Sequence, residues 1–383
     1  MPWRQIRYLL DSEVQSSDDA TKIVKLPLSN VIHSLFIKVE CKNGSSGNQG
    51  EDIDNVVDKI EVIGNGSEVL FSLTPAEIRR WALLDYGKPI LEKVDEAASA
   101  VQGAIYPLLF GFDEWDEEYW LPCSRFSDLE LRIKYSPTIS ATKWTSGTVT
   151  ITVLAFMTMG GDPGPYQGTL RKTTIYDWTT AASGDEVIDL PRRLLYSRGL
   201  LYCYEAGVED GVDITKVKFS LNNDERIPFN LSWEDLANLN QLLYDLHPKR
   251  VMKLFRTDND DVYTKIARIQ AVRVMPFASA DIANDQLFYA HADAIAGDKV
   301  TLECLVADLT AGAEDLTADT TDREIYLEVE GKGLPSALVI PFTELNGGVF
   351  FDPTQFDMVQ LVVTQGGAGG DAKLSLEEIL RIG

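Results

Sequence analysis

This chain has no stretch approaching the ~20 consecutive apolar residues that a membrane-spanning helix needs. Its first residues, MPWRQIRYLLDSEV, lack the apolar core of a secretion signal, so folding in a cytoplasm is the expectation. Cysteine is scarce: Cys41, Cys123, Cys203 and Cys304 lie far apart with no CxxC pair. That argues against a disulfide or zinc framework and for small buried hydrophobes in a reducing compartment. His33, His247 and His291 show no HxxH or HExxH spacing, no serine sits in GxSxG, and there is no Walker or GxGxxG loop. No catalytic, cofactor or metal site is therefore expected. Basic residues are also few, 35 against 59 acidic ones for a net charge of −24. A body this acidic repels phosphate backbones, which excludes nucleic acid as a bulk partner.

What is present is a β-rich pattern written twice. Residues 22–40 read KIVKLPLSNVIHSLFIKVE and residues 186–204 read EVIDLPRRLLYSRGLLYCY, each an alternating strand running into Leu-Pro and then a second apolar strand. Each copy continues into a hairpin and a helix start, KIEVIGNGSEVLFSLTPAEI at 59–78 and VKFSLNNDERIPFNLSWEDL at 217–236, with Leu73 matching Leu231. Later, Phe126–Ile133 matches Phe356–Val363, each after a proline-containing run. Matching order with slipping spacing is the mark of two diverged copies of one domain. A chain of 383 residues has room for two such cores.

Period-2 alternation marks seven to nine short strands per half, separated by Gly, Asn, Asp and Pro turns, which predicts antiparallel sandwiches and an all-β fold with a few short helices. Thr74-Pro75-Ala76-Glu77 combines a cap hydroxyl, a first-turn proline and a carboxylate three residues on, predicting a helix that ends at Gly87. Ser232 opens the equivalent helix in the second copy. A second helix is predicted near 90–101, and a short acidic helix after the glycine-rich 366–370. MGGDPGPYQGT at 159–169 cannot continue a strand or helix. The expected division is a first unit at 1–160, a linker at 161–168, and a second unit at 169–383 carrying an insertion at about 249–336.

The repeated Leu-Pro strands, the hairpin turns Gly64-Asn65-Gly66 and Asn222-Asn223-Asp224, and the capped helices at 74 and 232 together resemble the double jelly-roll major capsid proteins of tailless icosahedral viruses, the adenovirus-hexon-like lineage. The resemblance is architectural and spans the chain. It implies two tandem antiparallel jelly rolls, a homotrimer forming a pseudo-hexagonal capsomer, and self-assembly into a virion shell. Its partners would be neighbouring capsomers and minor capsid or penton proteins. The insertion would face outward in part, and the N-terminal segment would be an arm on the inner face.

That segment is the one basic, aromatic-rich stretch near a terminus. Trp3, Arg4, Arg7 and Tyr8 are candidates for contact with an anionic membrane or a neighbouring capsomer, the alternative being a simple edge strand. The acidic loop at 113–118, flanked by Trp115 and Trp120, reads as a solvated turn or a subunit contact with the tryptophans as anchors. A glycosidase carboxylate pair is the weaker reading there. Asp258-Asn259-Asp260-Asp261 lacks the glycine and distal glutamate of an EF-hand and reads as a turn. Two other functions fit the layout: a glycan-releasing amidase on a tandem jelly roll, and a carbohydrate-binding or adhesive module using Trp115, Tyr119 and Trp120.

Overall fold

A computed structural model describes residues 2–137, 144, 147–266, 268–276, 286–308 and 316–382. The first unit contains β1 (Trp3–Gln15), β2 (Ala20–Lys25), β3 (Val31–Lys42), β4 (Val57–Gly64), β5 (Glu68–Leu73), α1 (Pro75–Tyr86), β6 (Glu92–Asp95), β7 (Val101–Leu109), β8 (Leu121–Pro122), β9 (Leu129–Tyr135) and β10 (Val149–Met159). The second begins with β11 (Thr169–Thr179), β12 (Gly184–Asp189), β13 (Leu195–Tyr204), β14 (Ile214–Leu221), β15 (Arg226–Ser232) and α2 (Trp233–Tyr244). It resumes, after an insertion, with β23 (Ala337–Ile340), α3 (Phe342–Leu345), β24 (Val359–Gln365) and β25 (Asp371–Leu380). The insertion holds β16 (Lys249–Arg256), β17 (Asp261–Tyr263), β18 (Ile269–Pro276), β19 (Gln286–Ala296), β20 (Lys299–Asp308), β21 (Leu316–Ala318) and β22 (Arg323–Gly331).

Sheet order shows the duplication directly. In the first unit one sheet runs β1-β10-β3-β7 and the facing one β2-β9-β4-β5; in the second the same positions are filled by β11-β25-β13-β23 and β12-β24-β14-β15. Each is an eight-stranded jelly roll. Even the irregularities coincide. The pairing of β10 with β3 skips at His33 and that of β25 with β13 at Ser197, while β1 and β11 bulge at Leu9 and Ile175.

Alternation builds both cores. Ile37, Val39, Ile60, Val62, Leu131 and Ile133 point inward in the first sandwich, and Leu201, Val217, Phe219, Leu361 and Val363 in the second, all with no exposure or nearly none. At roughly 25 cal/mol per Å² of apolar surface, each such side chain contributes about 1.5–3 kcal/mol. The β4–β5 and β14–β15 hairpins turn through positive φ at Asn65 and Gly66, and at Asn222, Asn223 and Asp224, residue types that tolerate the left-handed region. Both helices start as expected: Thr74 makes a full capping box with Glu77, and Ser232 accepts from the Asp235 backbone.

Two elements differ from the sequence reading. The helix expected at 90–101 is absent: β6 forms there, and Glu92 and Glu96 turn inward toward Arg79, Arg250 and Arg256. The acidic tail helix is instead β25, a central strand between β11 and β13. Its glutamates are acceptable inside because Lys172 and Arg198 pair with Glu377, and Arg171 with Glu378.

Candidate functional site

The two sandwiches are fused along a short seam. β5 and β11 run parallel for two residue pairs, Phe71 with Lys172 and Ser72 with Thr173, which joins a sheet of the first unit to a sheet of the second. Helix α1 lies across it. The Trp81 indole N–H donates to Ser375 Oγ at 3.0 Å, Arg80 Nε to the Pro335 carbonyl at 3.0 Å, and Thr174 Oγ1 to Glu77 at 2.8 Å.

At its centre four charges from both units are buried together. Lys172 Nζ lies 2.5 Å from Asp85 Oδ2 and 3.1 Å from Glu377 Oε2, and its side chain is 1% exposed. Arg198 Nη2 reaches Asp85 at 2.7 Å, and its Nε and Nη2 hold Glu377 at 2.8 Å each. The Trp81 ring covers both cations, 5.0 Å from Lys172 Nζ and 5.4 Å from Arg198 Cζ. Two cations against two carboxylates leave the group neutral, the condition under which buried charge is tolerated. Burial alone would raise the Glu377 carboxyl, but Arg198 and Lys172 outweigh it and hold it down at about 2.

A second buried network ties the insertion to the first unit. Arg79 bonds Asp54 at 2.5 Å and Glu92 at 2.8 Å; Arg250, from the insertion, bonds Asp52 at 2.5 Å and Glu92 at 2.9 Å. Burial works against the Asp52 charge, yet Lys265, Arg250 and Arg79 hold its carboxyl well below the ordinary range. Above this joint β16 runs parallel to β6 and extends the first unit's sheet into the insertion. A cavity of about 440 Å³ opens beside it, lined by Asp52, Asp54, Arg250, Arg256, Tyr202 and Lys373 among others. Of its carboxylates, Asp52, Asp54 and Glu96 are each held by arginine or lysine, so the arrangement fastens the insertion to the first unit and leaves none of the three poised as a general acid or base.

The segment read as an arm lies on the body as β1, paired along its length with β10 and open on its other edge. Trp3 and Tyr8 are 55% and 57% exposed, and Ile6 between them 56%. Arg7 is exposed, while Arg4 stacks 5.2 Å over the Trp115 ring and pairs with Glu117 at 3.1 Å. The structure thus brings Arg4 and Trp115 together. Trp115 is half-buried against His33 and Phe156. Trp120, expected as an interface anchor, is instead 1% exposed, its ring 4.7 Å from Tyr166, so it packs within the chain and is unavailable to a neighbour.

The remaining sequence candidates resolve into local structure. Asp116 accepts from the backbone N–H groups of Phe112, Glu118 and Tyr119, and Asp113 from that of Trp115, which makes the acidic run a self-capped loop. Asp258 and Asp260 cap backbone N–H groups of Cys304 and Thr257, and Asp261 pairs with Lys299. His33 is buried against Thr158, and burial pushes its imidazole down to about 4. His247 and His291 lie beside Asp245 and Glu303. All four cysteines are buried and free. Among the described residues no group of three or more His, Cys, Asp or Glu is placed to hold a metal, and no helix is long and apolar enough to cross a membrane.

Sequence reasoning missed Lys172, Asp85, Arg198 and Glu377, which are distant in the chain. The one available signal was a charge at inward positions of alternating strands, as in TLRKTT and KLSLEE.

No protein-family model matches the chain, and no curated protein matches it in sequence. Its fold does match solved structures. The STIV MCP is similar over 98% of this chain and 96% of that one, with 12% identity and a TM-score of 0.55. A chain in the atomic structure of Sulfolobus Turreted Icosahedral Virus gives 98%, 90%, 12% and 0.55 in the same order. The major capsid protein of bacteriophage PM2 gives 99%, 98%, 10% and 0.49. The chain has the double jelly-roll fold, the fold of the STIV MCP.

Proposed function

We propose that this chain is a viral major capsid protein that assembles as homotrimers, each a pseudo-hexagonal capsomer of six sandwiches, to build an icosahedral shell. The observation that carries this reading is the jelly roll repeated within one chain and locked rigidly at the seam, so that one polypeptide supplies two adjoining wall blocks of fixed relative orientation. Likeness in fold to the STIV MCP across nearly the whole chain supports it. In this reading the units span 1–160 and 169–383, joined by 161–168, with an insertion at about 249–336. The partners are neighbouring capsomers and minor capsid or penton proteins. The open edge strand β1, which presents Trp3 and Arg7 on one face and Arg4 and Tyr8 on the other, is a contact strand toward a neighbour or an anionic lipid layer. No step of covalent chemistry is assigned to the chain.

Native mass spectrometry and negative-stain microscopy of the purified protein test the reading. The expected result is a species of three 42.5 kDa chains with six lobes. A stable monomer at high concentration would sink it.

A further inference from the structure

The internal repeat specifies where one copy meets the next. Strand registers place each residue of the first sandwich against its counterpart in the second. Ile6 faces Phe156 across β1 and β10, and Lys172 faces Glu377 across β11 and β25. Phe156 in turn faces Ser34, and Glu377 faces Arg198. On the other side of the seam, Phe71 faces Val62 as Phe229 faces Phe219, so Phe71 and Phe229 correspond. The helices correspond residue for residue, because both run twelve residues from their caps to a left-handed C-cap, which puts Leu243 where α1 has Asp85.

Within the chain, the edge of β5 is covered by β11 and α1 is covered by the second sandwich. Their counterparts are open. β15 is the last strand of its sheet and β1 the first strand of its own, so the chain carries the two halves of a second seam at opposite ends. On α2, Leu243 is 41% exposed and its neighbour Leu242 is 81% exposed. Ile6, in the place of Lys172, is 56% exposed. The buried ion pair of Lys172 with Asp85 is thus replaced, at the open positions, by two uncovered aliphatic side chains. They are complementary to each other as the charges are, and exposure of both is what an unfilled apolar contact looks like.

We propose that a second copy of this chain fills it. β1 of one copy lies parallel to β15 of the next, with Ile6 beside Phe229 and Arg7 beside Asn230, and Ile6 packs on Leu243 as Lys172 packs on Asp85. The contact needs only two residue pairs, both beyond Pro228, whose missing N–H would interrupt a longer ladder. The contact is heterologous, so it closes a ring when its rotation repeats that of the seam. This inference rests on the capsid reading and adds the residues that join copies.

The seam itself supplies the test. Ile6→Lys alone and Leu243→Asp alone each bury an unpaired charge and should weaken association by about tenfold or more, read by mass photometry or sedimentation. Ile6→Lys with Leu243→Asp in the same chain transplants the Lys172–Asp85 pair into the contact and should restore assembly, while circular dichroism of all three variants stays native. A wild-type oligomer that persists unweakened in both single variants, or a double variant no better than the singles, would overturn this contact and leave the capsid reading intact. A wild-type monomer would overturn both.

Discussion

Helices α1 and α2 share a length, a hydroxyl cap and a left-handed C-cap, yet they live in different surroundings. α1 is clasped: Trp81, Arg80 and Asp85 all bond or pack against the second sandwich. α2 buries Trp233, Leu236 and Asn240 against its own sandwich and leaves Leu242 and Leu243 in the open. One ancestral element has thus taken two roles according to what lies over it. Where the neighbour is always present because it is the same chain, charge is buried and paired. Where no part of the same chain covers the helix, and a second copy is proposed to do so, the surface is apolar and needs no partner to survive in water.

Exchanging the helices' residues should break this contrast most sharply. Asp85→Leu, which gives α1 the residue of α2, strands Lys172 and Arg198 against Glu377 alone and should lower the unfolding free energy by about 3–5 kcal/mol in a urea titration. Acid should act next. Glu377 and Asp52 have depressed folded pKa values, so their contribution is complete above the ordinary carboxylate value of about 4 and is lost as pH falls through the folded values, near 2 for Glu377. Two buried groups act between pH 6 and 4 with opposite signs: Asp210, raised to about 6 by burial, adds stability as it protonates, whereas His33, pushed down to about 4, loses it as the histidine of the unfolded chain takes up a proton that the folded one refuses. A thermal midpoint that changes little from pH 6 to 4 and then falls toward pH 2 is the expected profile; a midpoint that stays level down to pH 2 would show that the ion clusters do not govern it.

The caps give a smaller effect. Thr74→Ala takes the hydroxyl out of a reciprocal box, so the Glu77 N–H loses its acceptor and the buried Glu77 carboxylate, already pushed up by burial, loses one donor, whereas Ser232→Ala removes the matching two bonds, with the Asp235 N–H and carboxylate, at an exposed end. About 2 and about 1 kcal/mol respectively are expected by denaturation. Smallest of all, Leu243→Asp should shift the stability of the isolated chain by less than about 0.5 kcal/mol, because in the monomer the site faces water.

Much of this architecture was legible in sequence, because tandem sandwiches leave period-2 strands and repeated turn chemistry. Leu26-Pro27 and Leu190-Pro191 do end β2 and β12, Leu73 and Leu231 close corresponding hairpins, and Phe126 and Phe356 do precede β9 and β24. The losses have one physical origin. Where buried positions are charged, as at Glu92, Lys172, Glu377 and Glu378, the alternation that signals a strand disappears, and good helix formers such as Glu and Leu in SLEEIL suggest the wrong element. β1 stayed one of two readings because large apolar side chains are exposed on both its faces, Trp3 on one and Ile6 and Tyr8 on the other, which leaves no polar-apolar alternation to mark a strand. The seam left only the faint signal of charges at inward strand positions, because its four charges come from four separate segments.

The insertion has a core of its own, built on Leu254, Val262, Val300, Leu302, Ile325 and Leu327, yet its base strand β16 is stitched to β6 while its chain ends leave from the second sandwich. A pull or blow delivered at its far end is therefore not borne by the hinge of a single loop. It divides between a hydrogen-bonded splice into one block and two covalent connections to the other, so its footing behaves as masonry laid across a joint.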